Sequence, residues 1–354
     1  MVEQAQDSKS LKAIQEMVAI VQTDIGKRGI KHIFPEDNPK SFQDAALALL
    51  KAQKVAILTG FQCLVDSDPH IETDGIAGAL VIARALAVLG RHSTILMDSH
   101  CETIMKDIIA NYFIPELLPF VDLKCFTCGK GTLTPEELHQ LQTLSKECDA
   151  IVSIERPSVN PTGSYMTMRA IDIIDLTSEF DQHLFPQVGK PKFNPNQALI
   201  SIGDGGNEVG MGRVIELVQK HITNGEKICA NTVCDSLLVS DTSNFGGYAL
   251  VNAMLIELFS LYKIDQVTFS GLLPPPLANL LESLQNDTSV KDFLHMHLGV
   301  TLTQEKLCAD LCIKHGIKDG ITKRVENTVD GLAFDVIVDI IEGMQKVVDG
   351  YDGQ

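Results

Sequence analysis

Apolar and polar residues fall in blocks along this chain rather than alternating one by one. Short apolar runs at 55–58, 94–97, 123–126, 150–154 and 198–202 are too brief for helices, and each gives way to polar or glycine residues. Runs of this kind predict strands buried on both faces. A weaker run lies at 236–240. Residues 76–89 instead repeat apolar positions at helical spacing and stop at Gly90, a typical helix exit. Thr134-Pro135-Glu136-Glu137 marks a helix start, with a capping hydroxyl, proline in the first turn and acids facing the helix dipole.

A helical lead-in over 10–26 and a loop holding Pro35 and Pro39 precede the first strand. Residues 248–262 form a long helix, apolar nearly all round, for either a core or a second copy of the chain, so a homo-oligomer stays open. From Pro276 onward the pattern is helical, ending in an amphipathic helix over 335–348, and residues 186–197, with three prolines, read as a surface loop. Strand, loop and helix repeating in this way predict an α/β fold: a mostly parallel sheet with helices on both faces, a Rossmann-like three-layer sandwich with a helical C-terminal region. Residues 1–354 read as one such unit.

Ligands of open parallel sheets bind at the carboxyl ends of the strands. Polar clusters at 59–75, 98–100, 155–164 and 203–212 all follow predicted strands. The loop 203–212 holds five glycines with Asp204, Asn207 and Glu208 between them. It is not a dinucleotide loop, because G-x-G-x-x-G counted from Gly203 puts Glu208 where a glycine is needed and an acid repels pyrophosphate. Three oxygen donors within five residues suit a hard cation. Glu72 and Asp74, with Gly75 and Gly78, open the helix at 76–89 and suit an anionic ligand beside such an ion. Glu155 is a candidate general base and Arg156 a candidate carboxylate clamp. Arg169 and Asp172 extend that tract on what reads as a solvated helix face, Ser243-Asn244 begins the apolar helix, and Asp330-Gly331 reads as a cap.

Other chemistries fall away. Lys124 and Gly131 break a phosphate-loop reading around Gly129-Lys130, Cys125-x-x-Cys128 lacks a second pair for zinc, and no G-x-S-x-G is present. The net charge of −17 excludes a basic nucleic-acid footprint, and 5% aromatics without tryptophan argue against base or sugar stacking. Nine scattered cysteines, a polar N-terminus without a signal-peptide pattern and the lack of an evident membrane span lead us to expect a cytoplasmic protein with no membrane partner.

Thr59-Gly-Phe61, Glu72-Thr-Asp-Gly75, Ser153-Ile-Glu-Arg-Pro157, the loop 203–212 and Ser243-Asn-Phe-Gly246, in this order, resemble the C-terminal domain family of D-glutamate cyclase over about residues 10–345. Phe245 stands where that family's segment is expected to carry tryptophan. The resemblance implies an α/β fold and conversion of D-glutamate, a small acidic substrate, to 5-oxo-D-proline. It also implies metal binding, with a manganese-dependent phosphatase activity as an alternative. Combined with the residues, it assigns a divalent cation, manganese or magnesium, to Glu72, Asp74, Asp204, Asn207 and Glu208. Catalysis falls to Glu155, Arg156 and Asp204, and substrate contact to Thr59, Gly60, Gly75, Asn160, Ser243 and Asn244. A non-enzymatic sensor of small acids or metals is the further alternative.

Overall fold

Six strands, β1 (Lys54–Leu58), β2 (His92–Asp98), β3 (Val121–Phe126), β4 (Ala150–Ile154), β5 (Ala198–Gly203) and β6 (Ser236–Val239), form one sheet in the order β3-β2-β1-β4-β5-β6. All five pairings are parallel, with Val55 opposite both Ser93 and Ala150. The computed structural model describes residues 2–282, 284 and 287–353. Each strand lies on an expected apolar run, including the weak one at 236–240.

Alternation along the strands sorts their side chains between two layers. Val55 and Ile57 of β1 face a large core built with the helices Val2–Ile20, Asn38–Lys51, Ile76–Val88, Ser243–Ile264 and Phe334–Gly350. Ala56 and Leu58 face the opposite layer, with Leu141 and Leu144 of the helix Pro135–Glu147. That helix opens with the expected cap: Thr134 and Glu137 exchange side-chain and backbone hydrogen bonds.

Ser243–Ile264 is long and apolar enough to cross a membrane by length and composition, but 89% of its most apolar window is buried inside this chain. It is the central core helix, covered by elements of the same chain. It also starts at Ser243, five residues before the apolar pattern becomes visible, because Thr242 accepts the amide of Phe245 as its cap. The first helix spans Val2–Ile20 rather than 10–26, leaving Asp24 and Lys27 in a loop with positive φ.

One buried acid in this core makes stability depend on pH. The Tyr248 hydroxyl donates to the Glu305 carboxylate, and both are buried. Burial pushes the Glu305 carboxyl up to about 7, against the lowering effect of that hydrogen bond. A carboxyl raised in the folded state binds its proton more tightly there than in the unfolded chain. Its contribution is therefore fully present below about 4.5 and lost as pH rises through about 7. Urea unfolding of wild type and Glu305→Gln across pH 4.5–7.5 checks this. Wild type is expected to lose stability relative to the variant as pH climbs; parallel curves would contradict it.

Candidate active site at the carboxyl edge of the sheet

The strand order reverses between β1 and β4, the position where doubly wound sheets open a crevice. β1 delivers Thr59 to Cys63 into it, β4 delivers Glu155, β5 the loop from Asp204, and β6 the start of the core helix at Ser243. A cavity partly open to solvent lies there. Its wall carries Glu72, Glu155, Asp204, Glu208 and Asp330, and Asp74 stands directly behind.

Two oxygen triads share Asp204. One carboxylate oxygen from each of Asp74, Asp204 and Asp330 lies within 4.8 Å of the others, and the same holds for Glu155, Asp204 and Glu208. Acidic loops distant in sequence therefore do converge. Against these six carboxylates stands the half-buried guanidinium of Arg28. Arg28 ion-pairs with Asp204 and, at 3.0 Å, with Asp330, and it also donates to the Asp241 carbonyl.

Crowding sets the electrostatics. Burial pushes Asp74 and Asp204 up to about 7 each. For Asp204, Arg28 opposes the rise while Glu208 and Asp74 add to it; for Asp74, Asp330 adds and three backbone amides oppose. Glu155 is held well above the usual carboxylate range, first by burial and then by Asp204, Glu208, Asp74 and Glu72. Buried like charges this close must take up protons or share a cation.

The local backbone is built around Glu155. It follows β4 with φ 44, left-handed for a residue with a side chain, and its carboxylate accepts the Ser243 hydroxyl at 2.5 Å. Strain of this kind persists where surroundings enforce it. Gly75, at φ 85, makes the room: a Cβ there would lie 2.4 Å from Glu155 Cβ and 3.0 Å from Thr59 Oγ1. Gly320 is equally confined, since its Cβ would fall 1.8 Å from a Glu72 oxygen.

Several expected ligands serve as scaffold. Asp74 accepts the amides of Ser243 and Asn244 at 2.8 Å and of Gly75 at 2.9 Å, so it caps the core helix from outside. Glu208 accepts the amides of Asp204, Gly205 and Gly206, bracing its own loop. The Asn244 side chain is spent on the Gly78 amide and the Thr73 carbonyl, and Ser243 on Glu155. Gly60 accepts from Arg156 through its carbonyl, and Thr59 Oγ1 is buried without a hydrogen-bond partner among the described residues.

Arg156 and Asn160 correct the sequence expectation. Arg156 turns away from the cavity that Glu155 enters. Its guanidinium, fully buried, makes a two-pronged pair with Asp98, donates to the Ser178 carbonyl and stacks 4.1 Å over the Phe180 ring. It cannot clamp a substrate there. Asn160 closes its own turn, accepting from Thr162 and Ser164 and donating to the Lys227 carbonyl.

Arg28, Cys63 and Asp330 line the cavity unforeseen. Asp330-Gly331 is not a helix cap but the turn of a two-residue hairpin, Thr328–Val329 with Leu332–Ala333, with φ 52 and 77. An Asp-Gly pair between short apolar stretches is a hairpin signal that was available in the sequence. Arg28 had none, because its loop is held from afar by Asp241, which accepts the Thr23 and Asp24 amides.

The donors fit a hard divalent cation: carboxylate oxygens in two overlapping triads, plus Asn207 Oδ1, buried and without a hydrogen-bond partner among the described residues. Fold and site together define a doubly wound α/β protein whose ligand cavity is walled by carboxylates. The chain belongs to the D-glutamate cyclase-like C-terminal family, whose model matches residues 17–345. It is 29% identical over 348 residues to the human protein named D-glutamate cyclase, mitochondrial. That alignment covers 95% of this chain and 51% of the relative, so the chain spans about half the length of the curated protein it matches.

Proposed function

We propose that this chain is a lyase that closes D-glutamate to 5-oxo-D-proline with loss of water, assisted by a divalent cation. The observation that carries the reading is the meeting of the two carboxylate triads at Asp204, beside a strained and proton-loving Glu155. Family membership and the name of the human relative support the choice of substrate.

The reaction forms a C–N bond between the α-nitrogen and the carbon of the γ-carboxylate and breaks one C–O bond of that same carboxylate. Two of the three ammonium protons leave with that oxygen as water. Glu155, held above the usual carboxylate range by burial and its acidic neighbours, accepts the two ammonium protons in turn and passes each to the departing oxygen, a base and then an acid at one carboxylate. Ser243 holds the Glu155 carboxylate by its hydroxyl hydrogen bond. Asp74, Asp204 and Asp330 would hold the cation, which leaves Glu155 for the proton. Such an ion supplies charge withdrawal from a carboxylate, otherwise a poor electrophile. The loop amides of 204–206 stay fixed on Glu208, which keeps Asp204 in place.

The test is turnover of D- and L-glutamate by chelated protein with manganese or magnesium restored, followed by chiral chromatography. Metal-dependent loss of the D-isomer with appearance of 5-oxoproline is expected. No conversion by the folded, metal-loaded chain would overturn the reading.

A further inference from the structure

We propose that Arg169 is the residue that recognises the second carboxylate of the acidic substrate, the one that does not react; this rests on the function proposed above. With Arg156 buried against Asp98, a dicarboxylate needs another cation, and the cavity wall offers Arg28 and Arg169. Arg28 is committed to Asp204, Asp330 and the Asp241 carbonyl. Arg169 is exposed, and its guanidinium has no hydrogen bond or ion pair among the described residues.

Its backbone is nonetheless fixed. Residues 166–172 form a tight hairpin closed by the Met166–Asp172 bridge, not the solvated helix face expected from sequence. The Thr167 hydroxyl accepts the amides of Arg169 and Ile171, and Ala170 takes φ 55 at the bend. The site itself anchors the hairpin: Asn207 donates to the Met166 carbonyl at 2.8 Å, and Asn224 donates to the Met168 carbonyl at 3.1 Å. An arginine is thus held at the mouth of an acid-walled cavity with its five donors unspent.

D-Glutamate carries an ammonium and two carboxylates. The acid wall suits the ammonium, and a cation held around Asp204 would take the reacting end. The remaining carboxylate must find a cation away from those acids, and a guanidinium fork matches it with two parallel hydrogen bonds.

Calorimetric titration with glutarate, a dicarboxylate without an amine that cannot cyclise, and with butyrate tests this in manganese-loaded wild type, Arg169→Gln and Arg169→Lys. Arg169→Gln is expected to weaken glutarate binding by about 10- to 100-fold and to leave butyrate unchanged. Arg169→Lys should recover part of the loss. With D-glutamate, KM should rise by the same factor while kcat stays within about threefold. Wild-type glutarate affinity in Arg169→Gln, or no glutarate binding by wild type, overturns the assignment. Wild type that binds glutarate through Arg169 yet leaves D-glutamate unconverted sinks the cyclase reading alone. Conversion with an unchanged KM in Arg169→Gln sinks the Arg169 assignment alone.

Discussion

Asp204→Asn is expected to lower kcat/KM for D-glutamate by about 10²–10³-fold or more while leaving the fold intact. Asp204 is the one residue common to both oxygen triads, so its loss removes a donor from either arrangement. Asparagine keeps the shape and one acceptor oxygen. Arg28 retains Asp330 and the Asp241 carbonyl, and the loop amides remain on Glu208. Removing one negative charge also relieves the crowding that raises Glu155. The thermal midpoint of chelated protein should therefore hold or rise, and added manganese should shift it less than in wild type. Retained turnover in a folded Asp204→Asn protein would take Asp204 out of the chemistry.

The sheet was legible because burial on both faces writes itself into strand composition: runs such as Val55-Ala-Ile-Leu58 and Ala150-Ile-Val-Ser-Ile154 admit few other readings. The site was half legible. Asp204, Glu208, Asp74 and Glu155 sit at strand ends or helix starts, where topology brings loops together, and they do meet. Which of them brace the backbone was not, since two of the three amides that Asp74 accepts belong to residues about 170 positions away. Asp330 carried a hairpin signal and Arg28 none, because a single arginine in a surface loop reveals its partners only once the chain has folded.

The expectation that failed most sharply concerned Arg156, and its correction predicts a large loss of stability rather than of affinity. Arg156 and Asp98 are both fully buried, and Asp98 also accepts from Gln62 at 2.8 Å and from the Ser178 amide at 2.7 Å. Removing one member of such a pair strands the other charge in the core, at a cost of about 3–5 kcal/mol. Arg156→Met is therefore expected to lose that much in urea unfolding, with Asp98→Leu losing a similar amount. The double variant should lose less than the sum, with a coupling of about 1–3 kcal/mol. At low temperature, where the folded fraction of Arg156→Met is restored, its KM for D-glutamate should stay within about threefold of wild type, because the guanidinium never faces the cavity. A stable Arg156→Met protein with a greatly raised KM would put Arg156 back on the substrate and contradict the ion pair's structural role.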